Sequence, residues 1–316
     1  MKKLKSILFF FLNKLAGLLV KTGIHRRIPV LVSFYDFFYQ MFWPHKDIIE
    51  IQGSRMYINI REKDPSMRRT FQTYAGRKIH EEATTNLFKK NVRKGDIVVD
   101  LGANLGYFTL LAAQLVGERG KVFSFEPEPK NYNYLVKNIE LNGYKNVSAF
   151  QKAISDRNGK TQLFICSYDT GHHTINSYEG IAAYSRGRSA EKKSIEIETL
   201  TLDDFLKNKS NRVDIAKIDV EGAEFLAIKG MKNILEKSRD IKIFLEFFPL
   251  LLKQMGSSPE ELIKLLIEEH KFNIFAVGHD YAMTESKNEL VKINNFKEIM
   301  GLLKEEDDHI NLYLKR

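Results

Sequence analysis

The stretch VVDLGANLGYFTLLAA, Val98 to Ala113, decides the fold. An apolar run of strand type ends on Asp100, a glycine-bearing turn follows, and an apolar helical pattern begins near Gly106. Strand, glycine turn and helix form the opening unit of an open α/β sheet, whose ligands bind beyond the carboxyl ends of the strands. Gly102 lets the backbone come close to a ligand, and the first helical turn offers free N–H groups. The spacing is G-x-x-x-G rather than the G-x-G-x-x-G of dinucleotide sites, and a carboxylate at the strand end repels a pyrophosphate. The turn is expected to receive a ligand with a cationic end.

Working outward, apolar runs at Ile97–Asp100, Val122–Phe125, Val147–Phe150, Ile215–Ile218, Ile241–Leu245 and Phe272–Val277 have the content of buried strands. Helical patterns at Tyr107–Val116, Lys130–Leu141, Ala223–Leu235 and Pro259–His270 lie between several of them. This order predicts a doubly wound, mostly parallel sheet with right-handed crossovers. His309 to Leu314 alternates and is placed at the sheet edge, while Thr161–Ile165 and Ile195–Leu200 flank a polar loop from Ser167 to Lys193. Upstream, Ile48–Ile51 and Met56–Ile60 read as a hairpin, and His80 to Val92 as a helix.

The strand ends carry the chemistry. KVFSFEP ends in Glu126, where a carboxylate can accept hydrogen bonds from both hydroxyls of a ribose. Asp100 and Glu126 together specify a nucleoside without phosphate and with a cationic end, as in S-adenosylmethionine. In AISD, Asp156 follows the third strand and can meet an adenine amino group. AKIDVEGAEFLAIKGM, Ala216 to Met231, delivers Asp219 and Glu221 to the same edge, and IKIFLEFF delivers Glu246. Carboxylates gathered there can bind a divalent cation or take a proton from a hydroxyl, which makes Asp219 and Glu246 the candidate Mg²⁺ ligands. The structural alternative is that Glu221 or Glu224 complements the dipole of the next helix.

The 316 residues and the net charge of +9 add a location. Residues 1–94 hold 19 Lys and Arg against 7 Asp and Glu, so the basicity is N-terminal, at +12, and the remainder is slightly acidic. There, Leu4, Ile7, Leu8, Phe11, Leu12, Leu15, Leu18 and Leu19 recur at helical spacing, and Asn13 and Lys14 interrupt the run before it can span a bilayer. Ile28 to Pro44 is rich in aromatics, with Asp36 its single charge, the composition of a segment at the headgroup level. The reading is a peripheral anchor on an anionic, cytoplasmic membrane face; the rivals are a signal peptide and a helical pair packed on the protein's own core or on a dimer partner. No small-x-small cleavage site follows the apolar run, and His25-Arg26-Arg27 arrives instead. The single cysteine, Cys166, excludes a disulfide-built domain and a cysteine-rich zinc module. The organisation expected is an extension over 1–44, a hairpin and helix over 45–94, and an α/β catalytic domain over 95–316.

VVDLGANLGYFTLLAA, FSFEPEPKNYNYLVKNIELNG, AISD and KIDVEGAEFLAIKG, in this order, resemble the FkbM family of S-adenosylmethionine-dependent methyltransferases from about Glu81 to the C-terminus. The resemblance implies a class I methyltransferase (Rossmann-like) fold whose last strand is antiparallel, and O-methylation of hydroxyls on sugars, polyketides or related products. It implies that Asp100, Gly102, Asn104 and Gly106 line the methionine end of the cofactor, Glu126 the ribose and Asp156 the adenine. Glu81 matches an acidic position near the cofactor, with His80 where the family often has an aromatic. GHHTIN, Gly171 to Asn176, falls in a region similar to the family's acceptor-facing segment. Neighbouring side chains of a strand point to opposite faces, so His172 and His173 are not expected to share a metal, and one of them is a candidate general base. His279-Asp280 is a weaker candidate of the same kind. The leading expectation is methyl transfer to a glycan or lipid-linked sugar, with Asp219, Glu221, Glu246, His172 and His173 as catalytic candidates. RNA methylation through the basic N-terminal part is the first alternative, disfavoured by its Leu- and Phe-rich composition. A membrane-tethered binding protein without activity is the second.

Overall fold

The computed structural model describes residues 47–59, 61–62, 65–166, 170–175, 193–278, 280, 290–305 and 307–316, and before them only positions 8, 11, 14, 37–39, 41 and 42. Most of the 1–44 extension, residues 176–192 of the polar loop and His279 therefore lie outside the described residues.

Thirteen strands are described. β1 (Ile48–Ile51) and β2 (Ser54–Tyr57) form the expected antiparallel hairpin. β3 (Ile97–Leu101), β4 (Lys121–Phe125) and β5 (Val147–Phe150) follow, then the short β6 (Ala153–Ile154), β7 (Gly159–Phe164), β8 (Ser194–Leu200), β9 (Ile215–Ile218), β10 (Lys242–Phe247), β11 (Asn273–Val277), β12 (Leu290–Ile293) and β13 (Ile310–Lys315). The central sheet has the order β12-β11-β13-β10-β9-β3-β4-β5. β10, β9, β3, β4 and β5 are parallel, and β13 runs antiparallel to both of its neighbours. β6, β8 and β7 make a separate small sheet, which pairs the two stretches flanking the polar loop.

Alternation along the strands sorts side chains onto two faces. Val99, Leu101, Phe123, Phe125, Ile243 and Leu245 join one buried cluster, and Val98, Val122, Ile215, Phe244 and Tyr313 the other. The second cluster also takes in Ile49, Ile51 and Met56 of the hairpin, Phe88 of the helix Glu82–Asn91, and Met67, Phe71 and Tyr74 of a helix, Pro65–Arg77, that was not foreseen. Helix ends follow local chemistry: Glu128 caps the helix Pro129–Asn142 by accepting from Asn131 N, and Gly143 closes it.

Two expectations need correction. β13 does not close an edge; it is inserted between β10 and β11. Its residues Ile310 to Leu314 are all buried, with Leu312 and Leu314 in one cluster and Tyr313 in the other, and a strand apolar on both faces belongs inside a sheet. The single helix expected over Ala223–Leu235 is two, Glu224–Lys229 and Lys232–Lys237. Between them, a Cβ on Gly230 would stand 1.9 Å from the Ser155 carbonyl oxygen, so the chain breaks where two backbones touch.

Candidate active site

The glycine turn after β3 is compressed against the turn after β9. Gly102 has φ +82°, and a Cβ there would lie 1.8 Å from the Asp219 carbonyl oxygen, so only glycine fits. Its N–H and that of Ala103 donate to the Phe125 carbonyl at the end of β4. Asn104, also left-handed, donates its N–H to Glu126 Oε2 (2.8 Å), and Glu128 N donates to Glu126 Oε1 (2.9 Å). The turns after β3 and β4 thus hold one buried carboxylate between them. Burial is the main cause that pushes Glu126 up to about 8. Asp100, buried beneath the turn, accepts from Thr109 Oγ1 at 2.6 Å, and burial lifts it to about 6.

These groups line a cavity of about 370 Å³ that runs from Glu126, Lys152, Ala153 and Ile154 at one end to Glu246 and His309 at the other. The segment Thr170–Ile175 crosses it. Asn104 Nδ2 and Asn131 Nδ2 donate to the Thr170 carbonyl (3.3 and 3.0 Å), and Thr174 Oγ1 donates to the Glu221 carbonyl (2.8 Å). Among the described residues, the buried Oδ1 atoms of Asn104 and Asn131 have no hydrogen-bond partner, although both residues line the cavity. Two such acceptors beside the Glu126 carboxylate suit a ligand rich in hydroxyl and amine donors.

At the other end the sheet face is acidic. Asp219 and Glu246 lie beyond β9 and at the end of β10, and Glu81 immediately precedes the helix Glu82–Asn91 in a left-handed conformation. Carboxylate oxygens of the three come within 4.8 Å of one another. Glu81 Oε2 accepts from Asn311 Nδ2 at 3.0 Å, and Lys217 Nζ bonds Asp219 Oδ2 at 2.9 Å. Burial, reinforced by Asp219 and Glu221, raises Glu246 well above the usual carboxyl range. His309, delivered by the insertion of β13, stacks on Phe248 and places Nε2 3.6 Å from Glu246 Oε1. Burial, with His172 as the next cause, holds its pKa down to about 4, so the imidazole is neutral.

Residues 100–306 match the methyltransferase FkbM domain. The chain belongs to this family. It is 29% identical over 162 residues to methyltransferase sdnD of Sordaria araneosa, which covers 45% of this chain and 62% of that protein. It is 24% identical over 192 residues to hexuronic acid methyltransferase AglP of Haloferax volcanii, covering 60% and 68%. With 2-O-methyltransferase NoeI of Sinorhizobium fredii it shares 28% over 171 residues, covering 52% and 67%. The chain spans about three-fifths of the length of the first of these and about two-thirds of the other two.

In this member of the FkbM family the cavity brings together Glu81, Asp100, Gly102, Asn104, Glu126, Asp219, Glu221, Glu246, His172 and His173 of the expected residues. Two cofactor residues stand apart from its lining. Gly106 heads the helix Tyr107–Val116, and a Cβ there would meet Leu135 at 2.8 Å, so its task is packing. Asp156 is half-buried with its carboxylate 3.8 Å from Arg157 Nε, and Lys152 to Ile154 form the adjoining wall. His172 and His173 both line the cavity, and among the described residues neither joins the group of side chains close enough to share a metal ion. His173 Nδ1 accepts from Cys166 N at 3.0 Å. Glu224 accepts from Val220 N and Gly222 N, so it ties the turn before its helix and does not cap the helix itself. Asp280 is a cap: it accepts from the N–H groups of Ala83 and Thr84 at 2.8 and 3.0 Å.

The reading of the sequence missed His309, Lys217, and Thr70, Thr73 and Tyr74 of the Pro65–Arg77 helix, all of which line the cavity. Lys217 had a signal, since a charge inside a buried strand two residues before Asp219 must share its face. Met67, Phe71, Tyr74 and Ala75 had one as well, being spaced for a single helical face. His309 had none, because its place follows from where β13 inserts.

Proposed function

We propose that this chain transfers a methyl group from S-adenosylmethionine to a hydroxyl of a sugar, either free or lipid-linked. The observation that carries the reading is the single cavity in which a nucleoside cradle at one end opens onto an acid- and histidine-lined chamber at the other. Bound there, the cofactor would supply an electrophilic methyl on a sulfonium. The chain's own residues supply the rest. Glu126 accepts from the ribose hydroxyls, the Asn104 and Asn131 carbonyls accept further donors, and Asp100 offers its charge to the cationic end. The acceptor hydroxyl enters beside His309, whose neutral imidazole takes the proton, with Glu246 Oε1 3.6 Å from its Nε2. The names of AglP and NoeI, a hexuronic acid methyltransferase and a 2-O-methyltransferase, support a sugar hydroxyl as acceptor.

The cytoplasmic membrane face is the proposed place of work. Leu8, Phe11, Phe37 and Met41 expose apolar side chains, in keeping with an N-terminal part that carries +12. Among the described residues no helix is long and apolar enough to cross a membrane. The deciding experiment incubates the full chain with methyl-labelled cofactor and separated lipid, glycan, RNA and protein fractions. Label in the glycan or lipid-linked sugar fraction is expected; label in RNA or protein alone would overturn the reading.

A further inference from the structure

Lys217 lies where an ammonium has no ordinary business. All four residues of β9 are buried, and by alternation Lys217 shares the face of Ile215, which belongs to an apolar cluster. Its Nζ sits over the Phe108 ring at 5.2 Å from the centroid. Register places Asp100 of β3 directly beside it, and on the other side Phe244 of β10, two residues before Glu246 and on the same face. The ammonium bonds Asp219 Oδ2 at 2.9 Å and stands 3.9 Å from Glu81 Oε2. Four carboxylates, from three strands and the turn before a helix, therefore face one cation inside the protein. Neither side of that arrangement could be buried alone.

We infer that Lys217 is the resident cation of this carboxylate cluster: its ammonium takes the place that a divalent metal ion would occupy among Glu81, Asp219 and Glu246, and it holds Asp219 and Glu81 in position at the cavity wall. The spacing of the three carboxylates would let one divalent ion take an oxygen from each. Such an ion, at about 2.1 Å from those oxygens, would meet an ammonium already bonded to one of them and close to a second, and the two cations would repel. The Mg²⁺ expected from Asp219 and Glu246 is thus replaced by the side chain two residues before Asp219. Lys217 acts through the carboxylates it holds and is a positioning residue.

The inference goes beyond the methyl-transfer reading, and its test needs neither acceptor nor cofactor. Full-length wild type, Lys217→Ala and the double variant Lys217→Ala/Asp219→Asn are titrated with Mn²⁺ and followed by electron paramagnetic resonance. Wild type is expected to show no stoichiometric site. Lys217→Ala should gain one, at least about tenfold tighter than any binding by wild type, and Asp219→Asn should remove it again. In thermal melts Mn²⁺ should raise the unfolding temperature of Lys217→Ala and leave wild type unmoved. If Lys217→Ala is unfolded without metal, folding on addition of Mn²⁺ is the same gain. Stoichiometric Mn²⁺ binding by wild type would overturn the inference, as would a Lys217→Ala protein that Mn²⁺ neither binds nor stabilises.

Discussion

Glu126 is held by two backbone N–H groups and yet stays protonated near neutrality, because burial costs the carboxylate more than those bonds return. Ribose hydroxyls donating to it would favour the ionised form, so binding the cofactor or its demethylated product at pH 7 should expel close to one proton per chain. Calorimetry in phosphate and in Tris should give enthalpies that differ by the buffers' ionisation heats. Glu126→Gln should lose that difference and bind roughly tenfold more weakly or worse; a buffer-independent enthalpy in wild type would count against the ribose contact. His309 carries the opposite shift. Its folded pKa of about 4 keeps the basic form present well below the usual imidazole range, so turnover should stay level from pH 7 down to about pH 5. An acid limb near 6.5 would remove His309 from the role of base. His309→Gln should cut turnover by about 10²-fold with product affinity nearly unchanged, read by pairing rate with calorimetry.

Asp280 and the helix Glu82–Asn91 show how one element positions another. The first turn of that helix exposes N–H groups, and Asp280, from the far side of the sheet's connections, accepts two of them as well as the Thr84 hydroxyl. Glu81 is the residue just before this turn, so the cap also fixes a wall of the cavity. Asp280→Ala should destabilise the protein by about 1–2 kcal/mol, with Asp280→Asn recovering part of it. Denaturant unfolding measures this, and an unchanged midpoint in Asp280→Ala would mean that the cap contributes nothing. The strap Thr170–Ile175 works likewise, tied at one end to Asn104, Asn131 and Thr70 and at the other to the Glu221 carbonyl. It is tied locally as well, by the Phe164–Thr174 bridge and the bond from Cys166 N to His173 Nδ1.

The molecule as a whole joins this core to an apolar N-terminal part. Tyr39 is buried in the same cluster as the hairpin and the sheet face, whereas Phe37 and Met41, four residues apart on one helical face, are 61% and 43% exposed. One side of the segment therefore anchors to the core and the other faces outward. If the outward side meets a membrane, the full chain should pellet with anionic liposomes, less so in high salt. Phe37→Ser with Met41→Ser should then reduce pelleting with little change in the unfolding temperature. Tyr39→Ala should lower that temperature instead, since truncating a buried aromatic costs about 3–5 kcal/mol. Equal pelleting of the serine variant and wild type would end the anchor reading.

Most of the sheet was legible in the sequence because its information is local. The apolar runs of β3, β4, β5, β9, β10 and β11, the glycine turn at Gly102 and the acidic strand ends Asp100, Glu126, Asp219 and Glu246 depend on period and position within a few residues. A side chain's place at the end of a strand fixes both its edge and its face. What the tertiary structure decided was which distant segments meet. The insertion of β13, which brings His309 to the cavity and Asn311 to Glu81 across 230 positions of sequence, leaves no periodic trace. The gathering of four carboxylates around Lys217 likewise follows from long-range strand pairing and close packing, which no short window of sequence contains.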